Sequence, residues 1–473
     1  MTSDYEMVIG LETHVELRTR HKIFCNCPNT YGAAPNTCVC PTCMGLPGAL
    51  PVFHRESLLL AAKAGLALHC TVHENSRFDR KNYFYPDLPK AYQITQFYHP
   101  LCEGGYVDIG TEQDQKRIGI TRIHLEEDAG KLTYTPGGLE TDLNRCGVPL
   151  IEIVTGPDLR SAGEAVAYLK KLRSILVYTD VSDCRMNEGS LRCDVNLSLR
   201  HPGAPLGVRT EIKNLNSFQS VERAIEAERA RQAALLDAGL PVVQQTLRYD
   251  QKTGQTHSMR RKENSADYRY FPEPDLPPVH ISHSELSELE RSIPVLPDER
   301  RSLYMRQYGL SGYAAGQIAA ERWLAELFEK AVQTAQSPAA LANLILGEAF
   351  AQLTLRGEET ISICPEHLAM LSNMAVSGRV NSTTAKAILA ALFENDCDPE
   401  KYAREHSLLM LTDENLLRGI AQEVLLQNDA LVQSYRAGRQ NVAKALMGKA
   451  MGACRGRADA EKLRRILLEL LNA

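Results

Sequence analysis

One tryptophan in 473 residues, no excess of basic charge and no unbroken apolar run of membrane-spanning length set the first limits on this chain. Its longest apolar candidate, Leu58 to Leu68, is interrupted by Lys63, so no spanning helix is expected. The opening residues, Met1-Thr-Ser-Asp-Tyr-Glu6, hold neither a basic stretch nor an apolar run, so no secretory signal is expected and a cytoplasmic location is. A formal net charge of −5 argues against a protein coated in nucleic acid, although it leaves room for a local basic surface. Gly-x4-Gly-Lys-Ser/Thr and Gly-x-Gly-x-x-Gly are both missing, which removes a P-loop and a Rossmann unit. Neither a Gly-x-Ser-x-Gly elbow nor a Ser-Lys amidase stretch is present, so a nucleophile for acyl chemistry has to come from elsewhere.

Cysteine is what the chain does have. Five of its thirteen cysteines fall between residues 25 and 43, as Cys25-Asn-Cys27 and Cys38-Val-Cys40-Pro-Thr-Cys43-Met-Gly45-Leu-Pro-Gly48. The pairs Cys25/Cys27 and Cys40/Cys43, joined by a loop, have the spacing of a tetrahedral thiolate site for zinc, with Cys38 left over. Four thiolates leave zinc no open position, so the site is expected to be structural. A group of inert buried cysteines is the plainer alternative. An odd number of scattered cysteines suits a reducing compartment better than disulfides.

At this length two or three domains are expected. The first 280 residues alternate with a period of two: Ile9, Leu11, Thr13, Val15 and Leu17 against Gly10, Glu12, His14, Glu16 and Arg18, then again over 191–199 and 208–213. Each such strand buries one face and presents charge on the other, which predicts an antiparallel or mixed sheet with an open face. Between them, Ser161-Ala-Gly-Glu164 reads as a capping box opening a helix with Val166, Leu169, Leu172 and Ile175/Leu176 on its stripe. A second helix is expected from Ser217 to Asp237, closed by Gly239 and Pro241. Phe271-Pro-Glu-Pro-Asp-Leu-Pro-Pro278 is an extended exit, and helical patterning dominates from 284 onward. The expected architecture is therefore α+β, with a domain over 1–283, a helical domain over 284–399 and a helical basic tail over 400–473. That tail carries nine basic residues between Arg436 and Arg465 against Asp459 and Glu461. A solvated helix surface and a polyanion-binding surface are both compatible with it.

Glu12 and His14 lie two apart on a strand, roughly 6.5–7 Å along the chain, and so share its polar face. Glu126-Glu127-Asp128 and Glu152 are further candidates, the last standing alone among Val, Leu and Ile, where a carboxylate is costly unless paired or bound to a cation. One histidine with several carboxylates is a hard donor set suited to Mg²⁺ or Mn²⁺; separate salt bridges to arginines would use the same residues.

Six segments carry a resemblance. They are Gly10-Leu-Glu-Thr-His-Val-Glu-Leu17, Asn82-Tyr-Phe-Tyr-Pro-Asp-Leu-Pro-Lys90, His124-Leu-Glu-Glu-Asp-Ala-Gly-Lys131, Arg192-Cys-Asp-Val-Asn196, Glu211-Ile-Lys-Asn-Leu-Asn216 and Asp267-Tyr-Arg-Tyr-Phe-Pro-Glu-Pro-Asp-Leu276. In order and over essentially the whole chain, they are similar to the B subunit of bacterial aspartyl/glutamyl-tRNA amidotransferase. The resemblance implies a cradle domain related to the glutamine synthetase fold, followed by a helical domain and a small helical tail that contacts tRNA. It implies a carbon–nitrogen ligase of three subunits, with a glutaminase (amidase A) subunit supplying ammonia and a small C subunit. The chain itself would use ATP to phosphorylate the side-chain carboxylate of misacylated Glu-tRNA(Gln) or Asp-tRNA(Asn). The residues carried over are Glu12, His14, Glu127 and Glu152 as the catalytic Mg²⁺ site, with Glu126 a rival for Glu127. Asp194 and Glu211 would serve a second metal or the phosphates. Lys81 and Tyr83 would line the ammonia exit or the aminoacyl pocket, and Cys25, Cys27, Cys40 and Cys43 would hold Zn²⁺. Arg436, Arg439, Lys444, Lys449, Arg455 and Arg457 would meet tRNA. The chain departs from the family pattern at Cys38, at Cys146 and at Ala460, which stands where proline is expected; Asp459 is expected to cap the last helix regardless.

Two other readings use the same residues. A metal-dependent hydrolase acting on RNA or an acyl amide would activate water at Glu12/His14 and need neither ATP nor a partner. A zinc-stabilised tRNA-binding scaffold would carry its carboxylates for structure alone.

Overall fold

A computed structural model describes residues 5–110, 114–261 and 268–472. Asp267, which opens the last of the six segments, and residues 1–4 at the start lie outside them. The contacts divide the chain into one unit over Met1–Leu296 and a second over Pro297–Ala473.

The first unit is α+β. Among the described residues its main sheet has twelve strands, and the central path runs Thr210–Leu215, Leu191–Arg200, Glu6–Glu16, Pro149–Thr155, Lys116–Glu127. Tyr92–Thr95, Asp79–Asn82 and Phe271–Pro272 extend it on one side, Gln245–Asp250 and Gln255–Arg261 on the other. All neighbours in this path are antiparallel except Thr210–Leu215 with Gln245–Asp250, so the sheet is mixed. The strand Glu6–Glu16 follows its sequence alternation: Ile9, Leu11, Thr13 and Val15 are buried while Gly10, Glu12, His14 and Glu16 are half-buried on the opposite face. Each of Ile9, Leu11 and Val15 removes a side chain from water, worth about 1.5–3 kcal/mol apiece.

Helices cover the apolar face. Arg55–Ala67, Ala162–Tyr178 and Phe218–Asp237 contribute to one continuous core with the sheet. Ser161 caps the second as expected, accepting from the Glu164 backbone N–H at 3.1 Å. The box is only half closed, because the Glu164 carboxylate accepts instead from Arg160 N and Lys116 Nζ, each at 2.7 Å. Its buried stripe also differs from the expected one: Ala165, Tyr168, Leu169, Leu172 and Leu176 are fully buried, and Val166 is half-buried. The third helix is capped by Ser217, and Gly239 beyond its end takes φ +69°, a conformation that favours glycine. The proline-rich exit is indeed extended, with Phe271–Pro272 and Val279–His280 each adding a two-residue strand at a sheet edge.

The second unit is helical among its described residues. Its stretch Pro338–Arg356 is, at 19 residues and mean hydropathy 1.2, long and apolar enough by composition to cross a membrane. It is amphipathic in place: Leu341, Ile345, Ala349 and Leu353 are buried, while Glu348 pairs with Lys386 at 2.6 Å. The final helix, Ala460–Asn472, buries Leu463, Ile466, Leu467 and Leu471. Asp459 caps it without the proline, accepting from Glu461 N and Lys462 N at 2.9 and 3.1 Å.

Candidate active site

Strand pairing decides which polar residues meet. His14 lies opposite Glu152 on one side and Arg192 on the other, and Glu152 in turn lies opposite His124. Directly opposed residues share a face of the sheet, so this row crosses four strands on the polar side. One step along, Glu12 lies opposite Asp194, and Glu211 lies opposite Asn196.

Two clusters result. In the first, one donor atom each from His14, Glu126 and Glu152 lie within 4.8 Å of one another. His14 Nε2 is 3.6 Å from Glu126 and 3.7 Å from Glu152, and His124 Nε2 is 3.3 Å from Glu152. In the second, Glu12, Asp194 and Glu211 approach equally closely. Asn196 donates to Glu12 at 2.9 Å, Lys213 bridges Asp194 and Glu211, and Thr246 donates to Glu211 at 2.8 Å.

Two expected assignments change: Glu12 groups with Asp194 and Glu211 and not with His14, and Glu127 is set apart from both clusters. Side chains alternate along a strand, so Glu126 shares the face of His124 and Glu152 while Glu127 points to the other side. There Glu127 is buried, pairs with Lys90 and accepts from the Ile94 backbone N–H at 2.9 Å. Glu126 occupies the place assigned to Glu127. His124, Asn196, Arg192 and Lys213 also stand on this face, beyond the residues expected from the sequence. The signal for His124 was present: it sits two before Glu126, with apolar Ile123 and Leu125 at the odd positions.

The electrostatics show what the clusters want. Burial and the nearby Glu152 charge push the Glu12 carboxyl above its ordinary range. Burial works against a charge on His124, yet Glu152 and Glu126 outweigh it and hold the imidazole up to about 9. Glu152 is half-buried, which works against its charge, but His124, His14 and Lys81 keep it below the usual carboxylate range. Lys213 is held high by Asp194 and Glu211 in spite of its burial. The raised Glu12 carboxyl marks where the charges of Glu152, Glu211 and Asp194 crowd together. A hard divalent cation fits such a carboxylate-rich set, one at each cluster.

Lys81 and Tyr83 border this face. The Lys81 ammonium lies 4.8 Å from the Tyr268 ring centre and 5.8 Å from that of Tyr83, and its charge acts on Glu152. Tyr268 and Tyr270 continue the wall, Tyr270 stacking on Phe97 with centroids 3.9 Å apart.

The four expected zinc ligands come together: sulfurs of Cys25, Cys27, Cys40 and Cys43 all lie within 4.8 Å of one another. Those of Cys40 and Cys43 are 3.9 Å apart, close to the roughly 3.8 Å that two 2.3 Å bonds at the tetrahedral angle require. The Cys25 thiol hydrogen-bonds Cys43 and holds it, against burial, down to about 4, helped by the Cys40 N–H and Lys22. The fully buried Lys22 ammonium lies 3.6 Å from Cys43 Sγ and 3.4 Å from Leu143 O, so a cation already stands beside the thiolate set. Cys38 is not in the group; its N–H donates to Asn144. Cys146 packs against Cys25 and Cys43.

In the second unit Arg436, Arg439, Lys444, Lys449 and Arg455 are exposed and Arg457 is half-buried. The same region buries a core formed by Leu417, Ala421, Leu446, Ala450, Leu463 and Leu467.

Comparison with known proteins agrees with the resemblance. Residues 7–287 match the family described as "GatB/GatE catalytic domain", and residues 326–471 match "GatB domain". The B subunit of aspartyl/glutamyl-tRNA(Asn/Gln) amidotransferase from Caldicellulosiruptor saccharolyticus is 47% identical over 476 residues, covering 99% of both chains. The proteins of that name from Nitratidesulfovibrio vulgaris and Lachnoclostridium phytofermentans are 47% and 45% identical, over 99% of this chain and 100% and 99% of their own. With a family match across more than half its length and relatives aligned end to end, the chain belongs to the family of aspartyl/glutamyl-tRNA(Asn/Gln) amidotransferase B subunits.

Proposed function

We propose that this chain carries the ATP-dependent half of tRNA-dependent amidation. It would activate the side-chain carboxylate of Glu-tRNA(Gln) or Asp-tRNA(Asn) and then pass it to ammonia, within a ligase that also contains a glutaminase A subunit and a small C subunit. The observation that carries the reading is the pair of three-donor clusters side by side on one open face of the sheet. A carboxylate is a poor electrophile. One of its oxygens attacks the γ-phosphorus of ATP, ADP leaves, and the resulting acyl phosphate loses phosphate when ammonia attacks the acyl carbon.

Phosphoryl transfer of this kind needs alignment and charge neutralisation more than covalent help from protein. Bound Mg²⁺ would supply that neutralisation, held by His14, Glu126 and Glu152 in one cluster and Glu12, Asp194 and Glu211 in the other. Lys213 and Asn196 hold the second set in place. His124 holds Glu152 in its charged form. Lys81 brings a further positive charge toward Glu152 from the aromatic wall, which suits orientation of an anionic side chain, and Tyr83 would close the pocket beside it. The antiparallel strands presenting carboxylates on an open face support, as a further proposal, a cradle related to the glutamine synthetase fold. The four-cysteine group would hold structural Zn²⁺, and the exposed arginines and lysines of 436–457 would meet tRNA phosphates as part of a distinct tail beginning near residue 400. The cytoplasm is the compartment that reduced cysteines and a translation substrate call for.

The test is ADP release by the co-expressed complex fed ammonium in place of glutamine, with and without misacylated tRNA, for wild type and Glu12→Ala. ADP that depends on charged tRNA and vanishes in the variant supports the proposal. Equal ADP from both proteins removes Glu12 from the site. Turnover without ATP would favour the hydrolase reading instead.

A further inference from the structure

The helical unit holds a cluster that plays no part in the chemistry above. Cys364 and His367 stand three apart at the start of the helix Pro365–Val376, and Asp396 follows the helix Ser382–Glu394. One donor atom from each lies within 4.8 Å of the others. Asp396 already joins them: its Oδ2 accepts from the Cys364 backbone N–H at 2.9 Å, and its Oδ1 is 2.8 Å from His367 Nδ1. The Cys364 thiol in turn meets Glu366 Oε2 at 2.7 Å.

We infer that Cys364, His367 and Asp396 form a second transition-metal site, for zinc, with Glu366 or water in the fourth position. The donor set carries the choice of metal. Thiolate, imidazole and carboxylate together suit zinc, whereas magnesium and calcium take oxygen alone. Tetrahedral zinc needs its ligand atoms roughly 3.3–3.8 Å apart, which small rotations of partly exposed side chains can reach from the present spacing. The thiol proton and the proton shared by His367 and Asp396 are what the ion would displace, so binding releases protons and weakens in acid. Bound there, zinc would clip the start of one helix to the end of another. The cluster differs from the four-cysteine group in ligand type, and none of its residues belongs to the carboxylate face.

The test uses the full-length chain, with reductant and without chelating thiols. Iodoacetamide labelling of Cys364, followed by peptide mass, is timed with and without zinc chloride. By mass action, zinc at ten times its Kd slows Cys364 labelling by about tenfold. In His367→Gln that protection is lost, zinc content falls by one equivalent, and protection of Cys40 and Cys43 is unchanged. An unchanged Cys364 labelling rate in the wild type overturns the inference with no variant needed. Equal protection in His367→Gln overturns the ligand assignment.

Discussion

Neighbouring glutamates give the sharpest test of how strand register builds this site. Glu126 and Glu127 are chemically identical, adjacent and equally buried, at 4% exposure each, yet they face opposite sides of one strand. Glu127→Gln breaks a buried pair and leaves the Lys90 ammonium without its counter-charge. Such a break costs about 3 kcal/mol, the low end of the usual range because the amide oxygen still accepts a hydrogen bond. For a unit of 296 residues that is a loss of about 5 °C in Tm. Glu126→Gln removes one donor of a three-donor cluster while His14 and His124 keep Glu152 as a partner, so little stability is lost. It should instead cut tRNA-dependent ADP release on the order of 10²-fold or more, the usual scale for deleting one charge-stabilising group. The assays are thermal unfolding and ammonium-supported ADP release on the same preparations. Wild-type Tm with lost activity in Glu127→Gln, beside an active Glu126→Gln, would refute the register argument.

Other consequences are open to measurement. Cys40→Ser should lower zinc content by one equivalent by elemental analysis while leaving ADP chemistry partly intact; undiminished zinc would remove the four-cysteine site. Changing Arg436, Arg439 and Lys444 together to alanine should weaken tRNA binding and reduce the slope of log K against log salt by up to about 3, one per lost phosphate contact. An unchanged slope would put the tRNA surface elsewhere. Gly65→Ala should destabilise the first unit by about 1–3 kcal/mol in denaturant unfolding, because the added Cβ would fall 2.4 Å from the Cys102 sulfur. Arg55 and the Ser282 cap hold Glu285 down to about 2, from an ordinary 4.5. Its stabilising effect is therefore full above the ordinary value and fades as pH falls toward 2, so the stability gap between wild type and Glu285→Gln should narrow over that interval.

Period-two alternation was enough to place Glu12 and His14 on one polar face, since a strand buried on a single side has no other way to satisfy Leu11, Thr13 and Val15. The same alternation could not choose between Glu126 and Glu127. That choice depends on which residue of Lys116–Glu127 lies opposite Glu152, a long-range pairing that local pattern does not encode. The regrouping of Glu12 with Asp194 and Glu211, away from His14, was hidden for the same reason, because those partners sit on strands arriving from 180 or more residues away. Lys213 bridges Asp194 and Glu211, a contact across strands that its own segment does not announce. The gathering of the four cysteines was legible outright, for sulfurs within 19 residues leave little to topology. Cys364 and Asp396, 32 positions apart and joined only by helix packing, were not.

Phosphorylation of the amino acid's carboxylate before its amidation is the step on which the proposed chemistry depends. Misacylated Glu-tRNA carrying oxygen-18 in its side-chain carboxylate, turned over with ATP and ammonium, decides this by mass spectrometry of the released phosphate. Transfer of one labelled oxygen into phosphate for each amide formed is the predicted result. Unlabelled phosphate alongside amide product would contradict it.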